Sequence, residues 1–398
     1  MKNKWIKPRH KVARVVCNAV LKPIVKIKYN VKIEKYKLGK KPCLILYNHQ
    51  TAFDQFFVDL AFNKKIYHVA SDDLFSNGFI SWLLKTFVAP IPIKKQVSDI
   101  VAVKNCIKVA KEGGTICIAP EGSRTYSGKT EYFNPAIVGL VKMLKLPVLI
   151  FKIEGGYGVH PRWSNVMRKG KMKAGVSRTI LPEEYLNLDK NELYNLLKSE
   201  LYVNEANSNN VYKSSKKAEY LERVLYVCPK CGLSTFESKN DVITCKNCGL
   251  EIEYLENTEL SFKNSNYNFK HFNDLYEYQQ NFVNGLDLLN ANGALFYQDV
   301  AKIYNVKRQK RKILIQNNAK TLLYSNKIEV VLKNKTLVFN FENIEGISVV
   351  GRNKLNVYYD KNVYQLKGDY RFNAVKYLNF YYRYANQLKE NENGFLGL

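Results

Sequence analysis

Apolar positions along the chain follow two periods. Residues 10–22 repeat at helical spacing: Val12, Val15, Val16, Ala19 and Val20 gather on one face, and Lys11, Arg14, Asn18 and Lys22 on the other. From residue 26 to 34 the pattern becomes strict alternation, with Ile27, Tyr29, Val31 and Ile33 on one side, which predicts a half-buried strand. Short apolar runs recur at 43–47, 66–70, 115–119 and 147–153, with helical stretches at 97–112 and 135–144 between them. A strand near 174–181 and a helix near 191–205 complete the alternation, which predicts an α/β layered domain.

The pattern changes after that. Residues 207–218 are polar and read as linker. Four closely paired cysteines follow, then a mixed aromatic and polar stretch with a helix at 272–284. Between 311 and 366, seven short β-rich segments are separated by turn signals, and a helix at 371–388 ends the chain, which predicts a small β-barrel with a C-terminal helix. The expected organisation is a basic amphipathic helix (1–25), an α/β domain (26–206), a linker (207–223), a cysteine-bearing segment (224–257), a helical connector (258–310) and a β domain (311–398).

Charge adds a partner to this picture. The formal net charge is +27, and residues 1–41 hold 14 Lys or Arg against one acid, Glu34. A basic excess on an amphipathic segment fits an anionic leaflet better than nucleic acid. The plainer reading is a first helix packed on its domain with a solvated polar face. No apolar run is long enough to span a bilayer, and no signal peptide is evident, so a peripheral place on the cytoplasmic membrane face is expected. Cys17, Cys43, Cys106 and Cys117 are scattered and read as reduced core residues.

Candidate chemistry stands at the strand ends. After the run 43–47 comes Asn48-His49-Gln50-Thr51-Ala52-Phe53-Asp54. A general-base His needs a carboxylate to fix its tautomer and stabilise the imidazolium. Five residues on a continuous helix turn by roughly 140°, so the pairing requires His49 in a turn and Asp54 in the first helical turn. After 115–119 comes Pro120-Glu121-Gly122-Ser123-Arg124-Thr125, a tight turn that offers a guanidinium fork to phosphate or, equally, an internal ion pair. Lys94 and Lys95 follow Ile91-Pro92-Ile93, and Arg162 precedes Trp163, as a headgroup contact or a stacked structural pair.

In this order and spacing the blocks resemble the glycerolipid acyltransferase family, which includes 1-acylglycerol-3-phosphate acyltransferases. The His-X4-Asp motif is intact, Ser123 replaces a Thr in the Pro-Glu-Gly-Thr-Arg turn, and Lys95 stands where the family usually has Arg. The resemblance implies that His49 and Asp54 are catalytic, and that Glu121, Gly122, Ser123, Arg124 and Lys95 bind substrate. It also implies an acyl-CoA or acyl-carrier-protein co-substrate and a lysophospholipid acceptor acylated at its sn-2 hydroxyl to give phosphatidate. Glycerol 3-phosphate or another lysophospholipid is the alternative acceptor; a non-catalytic lipid- or nucleic-acid-binding protein is the alternative function.

Cys228-Pro-Lys-Cys231-Gly and Cys245-Lys-Asn-Cys248-Gly are two CxxCG knuckles. Four thiolates at this spacing predict a closed structural zinc site in a zinc ribbon, with an iron site or two disulfides as alternatives. The β domain resembles pleckstrin-homology-type barrels by strand pattern, and Lys307, Arg308, Lys310, Arg311 and Lys312 form either a headgroup patch or a solvated basic linker.

Overall fold

The computed structural model describes residues 4–75, 78–93, 99–263, 265–307, 312–391 and 394–397. The chain divides into two compact units, Met1–Pro161 with Lys169–Tyr212, and Arg162–Arg168 with Lys213–Leu398.

The first unit is built on strands β1 (Val31–Ile33), β2 (Leu44–Tyr47), β3 (Ile66–Ser71), β4 (Ile91–Ile93), β5 (Thr115–Ile118), β6 (Val148–Glu154) and β7 (Met172–Ile180). Its helices are α1 (Pro8–Tyr29), α2 (Asp54–Ala61), α3 (Gly78–Leu83, continued by a π-helical turn at Leu84–Val88), α4 (Ile100–Lys111), α5 (Ala136–Leu144), α6 (Gly156–Val159), α7 (Pro182–Tyr185) and α8 (Lys190–Leu201). The strands form one sheet in the order β1-β7-β6-β2-β5-β3-β4. Strands β2 to β6 run parallel, whereas β7 opposes β6 and β1 runs with β7. The carboxyl ends of β2, β5 and β6 and the starts of β7 and β1 therefore share one edge.

Leu44, Ile45 and Leu46 are fully buried, as expected of a central strand covered on both faces. On one face, Leu44, Leu46, Val148 and Ile150 pack with Cys106 and Val109 of α4, Ile137 and Val141 of α5, and Leu193 and Leu197 of α8. On the other, the Phe62 ring just past α2 meets Phe151.

The alternation at 26–34 misleads. Helix α1 continues to Tyr29 and only Val31–Ile33 is strand. Val25 and Tyr29, four apart, are the buried pair, and Ile27 is 83% exposed. Asn30 closes the helix in the left-handed region at φ 45°. Nor does α1 present the face that amphipathicity suggests. Its polar side is the docked one: Arg14 Nη2 donates to the Phe62 carbonyl (2.6 Å) and Asn18 to that of Asp59 (3.4 Å), both at the carboxyl end of α2. Val12, Val15, Val16 and Val20 are 57–65% exposed. Cys17 is exposed as well, unlike Cys43, Cys106 and Cys117, which are buried.

The second unit begins with the short hairpin β8 (Val227–Cys228) and β9 (Gly232–Leu233). A four-stranded antiparallel sheet follows: β10 (Phe236–Lys239), β11 (Val242–Cys245), β12 (Glu251–Tyr254) and β13 (Leu260–Phe262). After α9 (Phe272–Asn284) come seven antiparallel strands, β14 (Leu295–Asn305), β15 (Ile313–Tyr324), β16 (Lys327–Val331), β17 (Thr336–Asn340), β18 (Ile344–Val350), β19 (Lys354–Tyr359) and β20 (Asn362–Gly368), and then α10 (Val375–Gln387).

Here the structure corrects the expected barrel and its boundaries. The first two of the seven β-rich segments, 312–316 and 321–325, fall in one strand, β15, because Asn317-Asn318 makes a bulge and not a turn, with Asn318 at φ 49°. The missing strand is β14, which lies inside the stretch expected to be a helical connector. Strand order β17-β16-β15-β14-β20-β19-β18 leaves β17 and β18 unpaired with each other among the described residues, so the sheet is a curled half-barrel. The expected linker at 207–223 is packed chain: Tyr212, Ala218, Leu221 and Arg223 are all buried.

Residues 162–168 belong to this second unit. Arg162 is buried and donates to the carbonyls of Val349 (3.0 Å) and Gly351 (3.5 Å). It is Arg168 that stacks on Trp163, 5.1 Å from the ring centroid.

Candidate active site and cysteine cluster

Helix α2 starts at Asp54, which places His49 in the preceding turn and the carboxylate in the first helical turn. His49 Nδ1 lies 2.8 Å from Asp54 Oδ2. Asp54 is fully buried and accepts from the Gln50 N–H (2.7 Å), the Thr51 N–H (3.0 Å) and the Thr51 hydroxyl (2.6 Å). These three donors and the imidazole together fix the position of the Asp54 carboxylate. The His49 side chain keeps 22% exposure, with its Nδ1 side held inward on Asp54.

The turn after β5 grips the backbone of the same histidine. Glu121 Oε1 accepts the His49 N–H at 2.8 Å, and the Thr125 N–H donates to the His49 carbonyl at 3.2 Å. Glu121 is buried, and burial pushes its pKa well above the usual carboxylate range, with the charges of Asp54 and Glu131 adding to the rise. Gly122 sits at φ 68°, where a side chain would strain the turn. Ser123 is buried and Arg124 half-buried on this turn. Lys95 lies outside the described residues.

Residues beside the motif, not singled out by sequence, hold it from below. The Asn48 amide makes a two-way pair with Ile153 of β6, donating to its carbonyl (2.8 Å) and accepting its N–H (2.7 Å). Gln50 Oε1 accepts the N–H groups of Gly156 (2.8 Å) and Tyr157 (3.1 Å) at the start of α6. A Cβ on Gly156 would fall 2.7 Å from Gln50 Oε1, so this approach requires glycine. The only sequence signal was that polar residues flank His49 on both sides.

The four paired cysteines converge in the second unit, with sulfurs all within 4.8 Å of one another. Cys228 to Cys248 and Cys231 to Cys245 are 3.6 Å apart. That exceeds a disulfide bond of about 2.05 Å and approaches the edge, about 3.8 Å, of a tetrahedron with metal–sulfur bonds of about 2.3 Å. Gly232 and Gly249 take φ 78° and 72° in the two knuckles, as the tight turns require. The donor set suits a closed four-thiolate metal site.

The family model described as Acyltransferase matches residues 26–153. A 1-acyl-sn-glycerol-3-phosphate acyltransferase of Pseudomonas aeruginosa is 30% identical over 132 residues, 32% of this chain and 50% of that protein. The chloroplastic 1-acyl-sn-glycerol-3-phosphate acyltransferase BAT2 of Brassica napus is 20% identical over 151 residues, 37% of this chain and 43% of that protein. The crystal structure of the 1-acyl-sn-glycerophosphate acyltransferase PlsC from Thermotoga maritima is similar at 19% identity and TM-score 0.35, covering 42% of this chain and 68% of that one. The chain spans about half the length of the curated relatives it matches. Residues 26–153 thus carry an acyltransferase domain, which contains His49, Asp54, Lys95 and the turn from Glu121 to Arg124. No helix among the described residues is long and apolar enough to cross a membrane.

Proposed function

We propose that the protein transfers a fatty acyl group from an acyl thioester to the sn-2 hydroxyl of 1-acyl-glycerol 3-phosphate, giving phosphatidate at an anionic membrane surface, on its cytoplasmic face. The observation that carries this reading is the buried Asp54 holding His49 Nδ1 at 2.8 Å inside a matched acyltransferase domain. His49 Nε2 takes the proton of the acceptor hydroxyl, whose oxygen attacks the thioester carbonyl. The carbon–oxygen bond forms, the carbon–sulfur bond breaks, and the proton passes from His49 to the departing thiolate. Asp54 keeps the ring in one tautomer and offsets the imidazolium charge. Arg124 and Lys95 bind the acceptor phosphate, and Glu121, through the His49 N–H, fixes the turn.

Membrane attachment is supported by the outward apolar ridge of α1 and by its neighbour α3. There Phe79 is 71% and Trp82 54% exposed, their rings stacked 5.7 Å apart, and the following π-helical turn packs on α1. Zinc bound by Cys228, Cys231, Cys245 and Cys248 is the second part of the proposal; it serves structure, since four thiolates leave no open coordination position.

The test is acyl transfer in anionic vesicles, with lysophosphatidate or glycerol 3-phosphate as acceptor, beside His49→Ala. Transfer to lysophosphatidate that the variant abolishes supports the reading. Equal product from protein and variant refutes it.

A further inference from the structure

A cleft of about 660 Å3 opens in the first unit where β6 ends and β7 and β1 begin. Its size suits a small-molecule site. Four lysines line it, Lys26, Lys32, Lys171 and Lys173, against two acids, Glu154 and Glu205. Lys173 shares its charge with Glu34 at 3.3 Å. Glu205 forms part of the buried floor, where it accepts the Gly155 N–H (2.6 Å) and the Tyr212 hydroxyl (3.1 Å), and burial raises its pKa. Asn30, Asn204, Ser208 and Asn210 add amide and hydroxyl donors to the walls. The lining is therefore rich in cations and donors, and its occupant should be small and carry several negative charges.

Position decides which anion. The strand order β1-β7-β6-β2 puts the cleft on the edge that carries His49, one to three strands away. With strands about 4.8 Å apart, that is roughly 5–15 Å from the end of β2. The floor also belongs to the support of the histidine turn, because Gly155 precedes the Gly156 whose N–H bonds Gln50, the neighbour of His49. An anion here stands to one side of the reacting groups, at a distance that an extended thioester arm covers.

We propose that this cleft binds the phosphorylated nucleotide end of a coenzyme-A thioester, so that the donor lies along the sheet edge with its pantetheine arm crossing β6 to His49. The proposal rests on the acyl-transfer reading above. A nucleotide bearing a 3′-phosphate of about −2 charge and a diphosphate matches four lysines around a concavity. A carrier protein presents its arm on a single phosphodiester, and its acidic surface calls for a flat basic face.

The test uses the full zinc-loaded chain. Adenosine 3′,5′-bisphosphate is titrated calorimetrically in vesicle-free buffer into the protein, into the double variant Lys32→Gln/Lys171→Gln, and into Lys32→Arg/Lys171→Arg. The Gln pair should weaken binding about tenfold or more, and the Arg pair should retain it. In turnover, the preference for acyl-CoA over acyl carrier protein, as a ratio of kcat/KM, should fall by the same factor in the Gln pair. Transfer from acyl-CoA with nucleotide affinity and donor preference unmoved in the Gln pair overturns the cleft assignment and leaves the acyl-transfer reading standing. A Gln pair that loses only vesicle binding, or only use of acyl carrier protein, also overturns it. Lysine-dependent nucleotide binding with no transfer from either donor overturns the activity instead, and leaves the cleft a nucleotide site.

Discussion

Replacing Val16 and Val20 of α1 with serine tests the proposal that the first unit meets lipid through this helix. Both side chains are more than half exposed, 59% and 57%, among the described residues. Full burial of an aliphatic side chain is worth about 1.5–3 kcal/mol. The part still available to lipid is then about 1 kcal/mol each, or about 2 kcal/mol for the pair. At 1.4 kcal/mol per decade, that is a loss of roughly 30-fold in vesicle affinity. Serine and valine have similar helix propensity, and exposed substitutions shift stability by no more than about 0.5 kcal/mol, so the thermal transition should stay in place. Co-sedimentation with vesicles of phosphatidylglycerol and phosphatidylcholine measures the affinity. Lys11→Gln provides the electrostatic comparison, a loss of about 1 kcal/mol that salt should erase. Undiminished vesicle binding in the serine pair would refute the ridge as the lipid contact, and a marked drop in Tm would show that another part of the protein covers it.

Asp54→Asn puts an amide where the Gln50 and Thr51 N–H groups already donate; kcat should fall about 100- to 10,000-fold, and a loss under threefold would remove Asp54 from the mechanism. Glu121, its pKa raised in the fold, holds its proton to higher pH than in the unfolded chain, so its stabilising contribution is complete below the ordinary carboxyl value of 4.5 and declines as pH rises toward the raised one. Glu121→Gln keeps an oxygen for the His49 N–H but does not titrate, so it should gain on the parent in urea melts at successively higher pH; parallel stabilities would contradict the buried neutral acid. Metal analysis should find about one zinc per chain, lost in Cys231→Ser together with part of the thermal stability, and a zinc-free parent protein would end that reading.

What sequence could show follows from whether a residue's task is local. The central strands were legible because Leu44 to Leu46 are apolar on both faces, and the His–Asp offset already required a turn-to-helix junction. The underside of the site was not. Asn48 and Gln50 find their partners about 105 residues away, at Ile153 and Gly156, and no local pattern announces such a pairing. Strand β15 reads as two because Asn317-Asn318 carries turn chemistry that the sheet uses as a bulge, and β14 lies in the stretch of mixed aromatic and polar residues that reads as a connector. The face that α1 docks is hidden from sequence for a related reason. Its polar residues serve carbonyls left open at the end of α2, and a helix end's need for donors is invisible in the partner helix that supplies them.

That inversion bears directly on the proposed chemistry. A basic helix resting its charged side on a leaflet would sit at headgroup level with its valines in the protein. Here the charged side is partly used to fasten the helix, and the valines point outward, so on the membrane-surface reading proposed above insertion would reach the acyl boundary. The same helix ends at Tyr29, whose ring lies 5.1 Å from Phe53 in the turn between His49 and Asp54. The carboxyl end of α1 is therefore packed against the loop that holds the base. On the acyl-transfer reading, a lysophospholipid need not leave the bilayer to be acylated: its glycerol rises to the level of His49 while its chain stays among the tails. A water-soluble acceptor such as glycerol 3-phosphate would gain nothing from this arrangement, which is the structural reason to favour the lipid.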